Sequence, residues 1–329
     1  MINNVVTFGE AMIRLTAPGF SRLEQSEQFD VYVGGSELNV AVCVQRLGID
    51  SSFITRLVDN SLGRMIANKT REHGVDVSNI IWTKEGRVGK YYLEHGANPR
   101  PSSVIYDRKN SAISEIEPGM VNWDSVFKGE GLFHTSGITP ALSESALKVT
   151  EEAMRSAKKN NWTVSVDLNY RSKLWSKEQA NKAMTKLMEY TDILITTEED
   201  TERVFGITRE DYCEVARELS NEFNFDVVAI TLRENISMWR NDWTAIAYAD
   251  GKIYEDMIYE LELVDRVGGG DAFTGGFLYG YITEDAKEGI KFGNASSAIK
   301  QSNPGDLSWA SLEEVKNLKK GGGRIRINR

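Results

Sequence analysis

The sequence predicts an α/β protein, a three-layer α/β/α sandwich with a small β lid. Short apolar runs alternate with amphipathic segments of helical length, which is the pattern of a parallel sheet covered by helices on both faces. The alternation breaks between residues 87 and 111, where two strand-like segments follow each other without a helix between them. It breaks again after residue 226, where short, closely spaced strands predict an antiparallel extension of the sheet.

The first 74 residues predict strand, helix, strand and helix in turn. Residues 5–8 are apolar and precede Gly9 and Glu10, and we interpret residues 3–15 as one long strand bent at Gly9. The predicted segments that follow are a polar excursion at 17–30, a helix at 38–47 closed by Gly48, a strand at 51–58 and a helix at 62–73.

The break in the alternation predicts the lid. Residues 87–94 and 103–108 alternate with strand periodicity and are joined by a turn-rich segment. A strand pair without a crossover helix stands off the main sheet, so we expect residues of about 86–112 and 11–33 to cover a ligand and exclude water. An edge hairpin that packs on a neighbouring subunit is the alternative. The whole chain, residues 1–329, is then a single domain.

The second half of the chain resumes the alternation and then changes to β structure. A Ser-x-x-Gln capping box at Ser176 predicts one helix start. The predicted strands are 131–135, 162–168, 192–196, 227–231, 236–240, 244–249 and 252–257. The predicted helices are 143–159, 176–190, 271–281 and 285–301, and the composition of residues 321–329 predicts a flexible basic tail, with a docked strand as the alternative.

The motif with the clearest chemistry is the glycine run Gly268–Gly270, followed by Asp271 at the start of a predicted helix. Consecutive glycines let backbone N–H groups converge, and the first N–H groups of a helix are unpaired and lie at the positive end of its dipole. This predicts an anion site, most naturally for phosphate. Asp271 is therefore either an N-cap or a general base that takes a proton from an attacking hydroxyl.

Polar residues also follow other glycines and strand ends. Gly34 and Gly35 precede a helix whose first turn carries Asn39, which either points into a cleft or caps the helix. In open α/β sheets the ligand lies beyond the carboxyl ends of the strands. We therefore expect a common rim formed by Ser136, Asp167, Asn169, Arg171 and residues 198–200.

Composition excludes several classes of function. The net charge of −9 and the pI near 5.1 argue against nucleic acid or an anionic membrane as the main partner. Cys43 and Cys213 form no metal-binding spacing, and we expect both to be buried thiols in a reducing compartment. No apolar stretch approaches the length of a membrane span, so we expect a cytoplasmic protein.

Taken in order, these motifs resemble those of the PfkB, or ribokinase-like, family of sugar kinases over nearly the whole chain. The glycine pair with Asn39 is one signature, and DRVGGGDAFTGGF, which is similar to the family pattern D-T-x-G-A-G-D, is the other. Within the family, the segments GGSELNVA, RVGKYYLE, VIYDRKNSA, HTSGIT and DLNYRSKLW resemble those of 2-keto-3-deoxygluconate kinases.

The resemblance implies a ribokinase-like sandwich and transfer of the γ-phosphoryl of ATP, with Mg2+, to the terminal hydroxyl of 2-keto-3-deoxy-D-gluconate. It implies Asp271 as the base and Gly268–Gly270 as the catalytic anion site. The implied sugar-acid contacts are Gly34, Gly35, Asn39, Tyr91, Tyr106, Arg108, Ile138 and Arg171. The implied ATP contacts are Thr231, Arg233, Gly268, Gly270 and Asn294.

The sequence departs from the family pattern at three places. Arg266 stands where threonine is common, and the strand on the nucleotide side reads TLRENIS instead of ending in a glycine-rich turn. The family's N-x-x-E element, associated with magnesium, appears as residues 197–200 with the sequence TEED, which leaves the metal ligands unassigned and Asp200 as an indirect candidate.

Three other functions are open at this point. A fructokinase or ribokinase for a neutral sugar is distinguished by the absence of substrate-side arginines. A dehydrogenase is disfavoured because the richest glycine loop lies late in the chain rather than in a first βα turn. A sugar-acid sensor without turnover is disfavoured by Asp271 inside an intact loop. We expect a sugar acid and ATP as ligands, and a homo-oligomer, dimer or higher.

Overall fold

The computed structural model describes residues 2–321. The predicted basic tail, apart from Gly321, lies outside the described residues. The strands are β1 Asn4–Phe8, β2 Met12–Thr16, β3 Asp30–Gly34, β4 Asp50–Ile54, β5 Arg56–Val58, β6 Ile81–Thr83, β7 Gly89–Glu94, β8 Ser103–Asp107, β9 Leu132–Ser136, β10 Thr163–Asp167, β11 Ile193–Thr197, β12 Val227–Asn235, β13 Arg240–Ala249, β14 Lys252–Glu255 and β15 Tyr259–Glu262. The α-helices are α1 Ser36–Leu47, α2 Ser61–Glu72, α3 Trp123–Val126, α4 Glu144–Lys159, α5 Lys177–Met188, α6 Glu198–Phe205, α7 Tyr212–Phe223, α8 Gly269–Thr283, α9 Ala286–Gln301 and α10 Leu312–Leu318.

The largest sheet in the described residues has the strand order β14-β13-β12-β11-β10-β9-β1-β4, with β15 beside β13. All neighbours from β4 to β12 are parallel, and β12, β13, β14 and β15 pair antiparallel. The predicted α/β class, with its antiparallel extension, is confirmed. The carboxyl ends of the parallel strands therefore lie along one edge, as the rim prediction requires.

Two apolar cores cover the two faces of this sheet and make the three layers. Alternate residues of β1 show the division, because Val6 and Phe8 pack with α4, α5 and α7, whereas Val5 packs with α1, α8 and α9. Side chains of successive strand residues point to opposite faces, so each buried strand must be apolar on both sides. This explains why the strands read as continuous apolar runs.

A second sheet has the order β3-β2-β7-β8 and consists of residues from the two segments predicted to form the lid. Its outer strand β8 is mostly exposed, and the central strand β7 buries Tyr91. The sheet contacts the main body through Arg14 and Tyr91, which both bond Asp306.

Several predicted elements differ from the structure. Residues 3–15 are two strands in different sheets, because the chain leaves the main sheet after Phe8 and turns at Gly9 and Glu10. The predicted strand 51–58 likewise divides at Thr55, since β5 pairs with β6 and not with β1. Long apolar runs do not reveal where a strand changes its partner.

Other differences concern the antiparallel part. Residues 236–240, predicted as a strand, form the hairpin turn between β12 and β13, where the N–H groups of Ile236 and Ser237 donate to the carbonyl of Arg240. Elements that were not predicted are the strands β3, β6 and β15 and the helices α3, α6, α7 and α10. The capping box at Ser176 is present in the structure. Cys43 is buried as expected, but Cys213, in the first turn of α7, is only half-buried.

Candidate active site

The glycine loop follows β15 after residues 263–267 and forms the N-terminus of α8. Gly268 caps the helix with a left-handed backbone, φ 81°, and Gly269 and Gly270 lie in its first turn, earlier than predicted. Glycine is required at position 268 because of this left-handed backbone, and also because a Cβ there would collide with the carbonyl oxygen of Asp306. A Cβ on Gly270 would meet open space. The helix N-terminus thus presents bare backbone toward its surroundings.

A buried network of charges fixes the backbone just before the loop. The carboxylate of Asp265 accepts hydrogen bonds from Arg14 Nη2 at 2.6 Å and from the N–H groups of Val267 and Gly305, both at 3.0 Å. The fully buried ammonium of Lys300 donates to the carbonyl of Asp265 over 3.1 Å. These contacts hold the loop in one position before any ligand binds.

Asp271 is the third residue of α8 and does not cap that helix. Its Oδ1 accepts a hydrogen bond from Ser36 Oγ at 2.8 Å, and its Oδ2 accepts one from Asn39 Nδ2 at 2.6 Å. Burial raises the pKa of Asp271, and the bonds from Asn39 and Ser36 oppose this rise because they stabilise the ionised form. The residue is therefore a desolvated, oriented carboxylate at the helix end, the arrangement expected of a general base.

Asn39 and Ser36 belong to the first turn of α1, which follows the other glycine pair. Gly35 is the N-cap of α1, and Asn39 Oδ1 accepts from the Gly35 N–H at 3.3 Å. Asn39 therefore joins the start of its own helix to the carboxylate on α8. Ser36 also accepts a bond from Asn169 Nδ2 at 3.2 Å, which links this pair to the end of β10.

A cavity of about 410 Å³ opens in front of these residues. It brings together most of the predicted site residues, which are Gly35, Asn39, Tyr91, Tyr106, Arg108, Ile138, Arg171, Asp200, Thr231, Arg233, Gly268, Gly269, Gly270 and Asp271. The cavity also contains most of the predicted rim, because its walls include Asp167, Asn169, Glu198 and Glu199. Residues from strand ends far apart in the sequence thus meet at one edge of the sheet.

Two predicted contact residues do not line the cavity. Gly34 is buried behind it, where a Cβ would collide with the carboxylate of Asp306. Asn294 is buried within α9, where its side chain accepts from Trp243 Nε1 and donates to Asp256 Oδ2, both at 3.1 Å. Both residues support neighbouring elements in this structure, so their predicted ligand contacts stay predictions.

The lid side of the cavity is aromatic and positively charged. Tyr91 donates its hydroxyl to Asp306, and its ring lies 5.6 Å from that of the exposed Tyr106. The guanidinium of Arg108 lies 5.5 Å from the Tyr106 ring centroid and pairs with the buried carboxylate of Glu10. The charge of Arg108 is thus already compensated by the protein.

Arg171 differs from Arg108 in this respect. It lies four residues after the end of β10, it is exposed, and within residues 2–321 it has no ion pair. Its positive charge lowers the pKa of Asp167, Asp200 and Asp271, although burial is the larger effect and raises all three. Unlike Arg108, Arg171 therefore has a charge available for an anionic ligand.

Glu37, which shapes the site, was not identified from the sequence. The buried Glu37 accepts bonds at its Oε1 from the N–H and Oγ of Ser136 and from Thr139 Oγ1, and burial raises its pKa. Ser136 is thereby turned away from the cavity, unlike the other rim residues. Glu37 stands inside GGSELN, directly after Ser36, and a charged residue in the first turn of a mostly apolar helix was the available signal.

Asp167 and Asp200 are the acidic side chains of the site that bear on metal binding. Within residues 2–321, no group of three or more His, Cys, Asp or Glu side chains is placed to hold a metal ion. Asp200 accepts from the Tyr170 N–H at 3.3 Å and lies 3.9 Å from Arg203. Asp167 has its pKa raised well above the ordinary range by burial, then by Asp271 and Asp200. These carboxylates line one cavity and can attract a hydrated cation.

Comparison with known proteins agrees with this geometry. The model of the pfkB family carbohydrate kinases matches residues 2–311. The chain belongs to the pfkB family of carbohydrate kinases. It is a phosphotransferase with the ribokinase-like fold, and the predicted resemblance is confirmed.

Individual relatives match over almost their whole length. The chain is 38% identical to a 2-dehydro-3-deoxygalactonokinase of Haloferax volcanii, over 98% of both chains. It is 42% identical to the crystal structure of 2-dehydro-3-deoxygluconokinase from Thermotoga maritima, with a TM-score of 0.95 over 98% of this chain and 99% of the other. A PfkB family carbohydrate kinase from Listeria grayi shares 31% identity and a TM-score of 0.92, over 96% and 99%. Between residues 2 and 321, no helix combines the length and apolar character of a membrane span.

Proposed function

We propose that this kinase transfers the γ-phosphoryl group of ATP to the 6-hydroxyl of 2-keto-3-deoxy-D-gluconate, giving 2-keto-3-deoxy-6-phosphogluconate. The observation that carries the proposal is the position of Asp271, a half-buried carboxylate in the first turn of α8 directly after the glycine loop, held by Ser36 and Asn39. Phosphoryl transfer requires a held phosphate and a group that accepts the hydroxyl proton. The loop and Asp271 supply both.

In this reaction the bond between the γ-phosphorus and its bridging oxygen breaks, a bond to the sugar oxygen forms, and ADP leaves. The sugar hydroxyl loses its proton to Asp271. Burial raises the pKa of Asp271, which makes the carboxylate a better proton acceptor, while Asn39 and Ser36 keep it ionised and oriented. The N-terminus of α8 stabilises the negative charge of the transferred group.

The nucleotide side of the cavity begins at Thr231 and Arg233 and continues to the loop. We assign these residues, with Gly268 and Gly270, to ATP. Magnesium supplies charge neutralisation on the phosphates when it is bound. Since the described residues offer no complete ligand set, we expect the phosphates and water to hold it, with Asp200 and Asp167 acting through water.

The charge of the cavity supports an anionic sugar. The protein has a net charge of −9. An exposed arginine that lines the cavity and has no ion pair therefore favours binding of a ligand carboxylate. Arg171 fits this role. The charge of Arg108 is compensated by Glu10, so we assign Arg108 to positioning Tyr106 against the sugar and not to binding the carboxylate. We therefore place the keto-acid end at Arg171, with Gly35, Asn39, Ile138 and Tyr91 around the sugar chain.

A second candidate substrate is 2-keto-3-deoxygalactonate. The relative from Haloferax volcanii is named for this sugar acid and the one from Thermotoga maritima for the gluconate form, and both are similar to this chain over nearly its full length. The two sugar acids differ in configuration at one carbon. The same residues serve either substrate in our proposal, and only the hydroxyl contacts differ.

A coupled assay of ADP release tests the proposal over both keto-deoxy sugar acids, gluconate, fructose and ribose. We expect a keto-deoxy sugar acid to have the highest kcat/KM. Arg171→Ala should raise its KM ten-fold or more, which corresponds to about 1.4 kcal/mol, with little change in the KM for ATP. Arg155→Ala, at an exposed arginine of α4 outside the cavity, is the matched control.

A preference of the wild type for fructose or ribose would contradict the sugar-acid assignment. So would an unchanged sugar-acid KM in both Arg171→Ala and Arg108→Ala. In either case a neutral-sugar kinase of the same family takes its place.

A further inference from the structure

Arg266 follows the anchored Asp265 and precedes the glycine loop by one residue, and both Arg266 and Arg233 line the cavity. We propose that Arg266 and Arg233 together form a clamp for the polyphosphate of the nucleotide, with Arg266 as a specific phosphate-binding residue. The inference deepens the proposed function and rests on it in taking ATP as the phosphoryl donor.

The backbone at Arg266 is rigid, so its side chain is presented from a fixed point. On one side, Asp265 is held by Arg14 and by the Gly305 N–H. On the other side, the Gly269 N–H donates to the carbonyl of Arg266 at 3.2 Å and closes the turn into α8. An arginine on a fixed loop loses little conformational freedom in the backbone when it binds a ligand.

The guanidinium of Arg266 has almost no partner in the protein. It donates from Nη2 to the carbonyl of Met238 at 3.2 Å, and it has no ion pair in the part of the chain that the structure describes. Its side chain and that of Arg233 are both exposed. Removal of water and the nearby charge of Arg233 lower the pKa of Arg266, which shows that the two cations lie within reach of each other.

Two cations that face one cavity repel each other, and a shared anion removes this repulsion. The arginine fork is suited to bidentate bonds with phosphate oxygens. Arg266 is two residues from Gly268, so an anion bound by the guanidinium is also close to the N-terminus of α8. The two arginines and the helix end therefore converge on one highly charged group.

The sugar carboxylate is not the ligand that this pair fits. Arg171 lowers the pKa of Asp271, Asp167 and Asp200, which places its charge near the proposed base. Burial and the charge of Arg233 lower the pKa of Arg266, so the charged neighbour of Arg266 is Arg233. The cavity thus has two separate cationic positions. We assign one to the carboxylate of the sugar acid and the other to the polyphosphate of ATP.

The test is equilibrium titration of the full-length chain with three probes, namely a non-hydrolysable ATP analogue, inorganic tripolyphosphate and adenosine. Arg266→Met should weaken the ATP analogue and tripolyphosphate ten-fold or more, and it should change adenosine affinity less than two-fold. The salt dependence of analogue binding should also become shallower, because one cation is lost. Arg266→Lys should recover part of the loss, since it keeps the charge without the fork.

Arg240→Met is the matched control, because Arg240 is an exposed arginine at the start of β13 that does not line the cavity. It should bind all three probes as the wild type does. The temperature of thermal unfolding shows that each variant is folded. Because Arg266 is exposed, its removal should change this temperature little.

Unchanged tripolyphosphate affinity in Arg266→Met overturns the clamp. An equal loss for adenosine also overturns it, because this would indicate a distorted loop and not a lost phosphate contact. If the wild type binds tripolyphosphate but no adenine nucleotide, the assignment of ATP as the phosphoryl donor is wrong, and the assignment of Arg266 and Arg233 to a polyphosphate is still supported. If the wild type binds neither, both inferences are wrong.

Discussion

Asn39 Nδ2 lies 2.6 Å from Asp271 Oδ2, and this bond joins residues 232 positions apart in the sequence. It is possible because helices α1 and α8 pack closely, with Gly275 against Cys43 and the Cys43 thiol donating to the carbonyl of Ala272 at 3.6 Å. A side chain at position 275 would separate the helices. The orientation of the proposed base therefore depends on the packing of two helices that each follow a pair or run of glycines.

Replacement of Asp271 by Asn should nearly abolish turnover and leave sugar binding largely unchanged. Loss of a general base commonly costs two to four powers of ten in kcat, roughly 3 to 5 kcal/mol of barrier. Steady-state kinetics and a separate sugar titration measure the two effects. Glu284→Gln, at an exposed carboxylate just beyond α8, is the control. A variant Asp271→Asn that keeps more than about a tenth of wild-type kcat would show that proton transfer to this residue is not needed.

Replacement of Ser36 by Ala should move the acid limb of the kcat profile to higher pH. Burial already raises the pKa of Asp271, and the bond from Ser36 lowers it. Without that donor the pKa rises further, so a larger fraction of Asp271 is protonated and inactive at a given acidic pH.

Profiles of kcat between about pH 5 and pH 9 measure this shift. Ser78→Ala, at an exposed serine before β6, should leave the limb where it is. A limb that stays in place in Ser36→Ala, or moves to lower pH, contradicts the assignment of Asp271 as the titrating base.

The lid segments, about 11–33 and 86–112, should become better protected from amide hydrogen exchange when ligands bind. Strand β8 is exposed, and the lid residues Tyr91, Tyr106 and Arg108 line the cavity. Closure over sugar and nucleotide would order these strands. Exchange followed by mass spectrometry, with sugar acid and a non-hydrolysable nucleotide added together, measures this. Helix α4 serves as the internal reference, and equal lid protection with and without ligands would mean that the lid does not close.

Replacement of Arg14 by Met should destabilise the fold by about 3 to 5 kcal/mol, because it leaves two buried carboxylates without their cation. Arg14 is 1% exposed and pairs with Asp265 at 2.6 Å and Asp306 at 3.0 Å. Arg64→Met, which breaks an exposed pair with Asp59, should cost about 1 kcal/mol or less. Urea unfolding of both variants gives the comparison, and equal losses would show that the buried network adds nothing beyond a surface pair.

The sequence alone was sufficient for the features that are local or that follow from sheet geometry. Apolar periodicity located most strands and helices, and the glycines before Asp271 indicated the loop that leads into α8. The rim prediction succeeded for Asp167, Asn169 and Arg171 because the carboxyl ends of parallel strands must lie at one edge. None of these inferences requires knowledge of which distant side chains are partners.

Only the tertiary structure decided which charges remain available. Arg108 and Arg171 are alike in the sequence, but Arg108 is paired with Glu10, 98 residues away, and Arg171 has no ion pair within residues 2–321. Asp306 likewise binds both Arg14 and Tyr91 from the lid, although it stands in an unremarkable turn. Such pairings depend on which charged groups the fold buries next to each other. The local sequence pattern does not contain this information. The division of residues 3–15 between two sheets has the same cause, since a strand's partner is chosen by the assembled sheet.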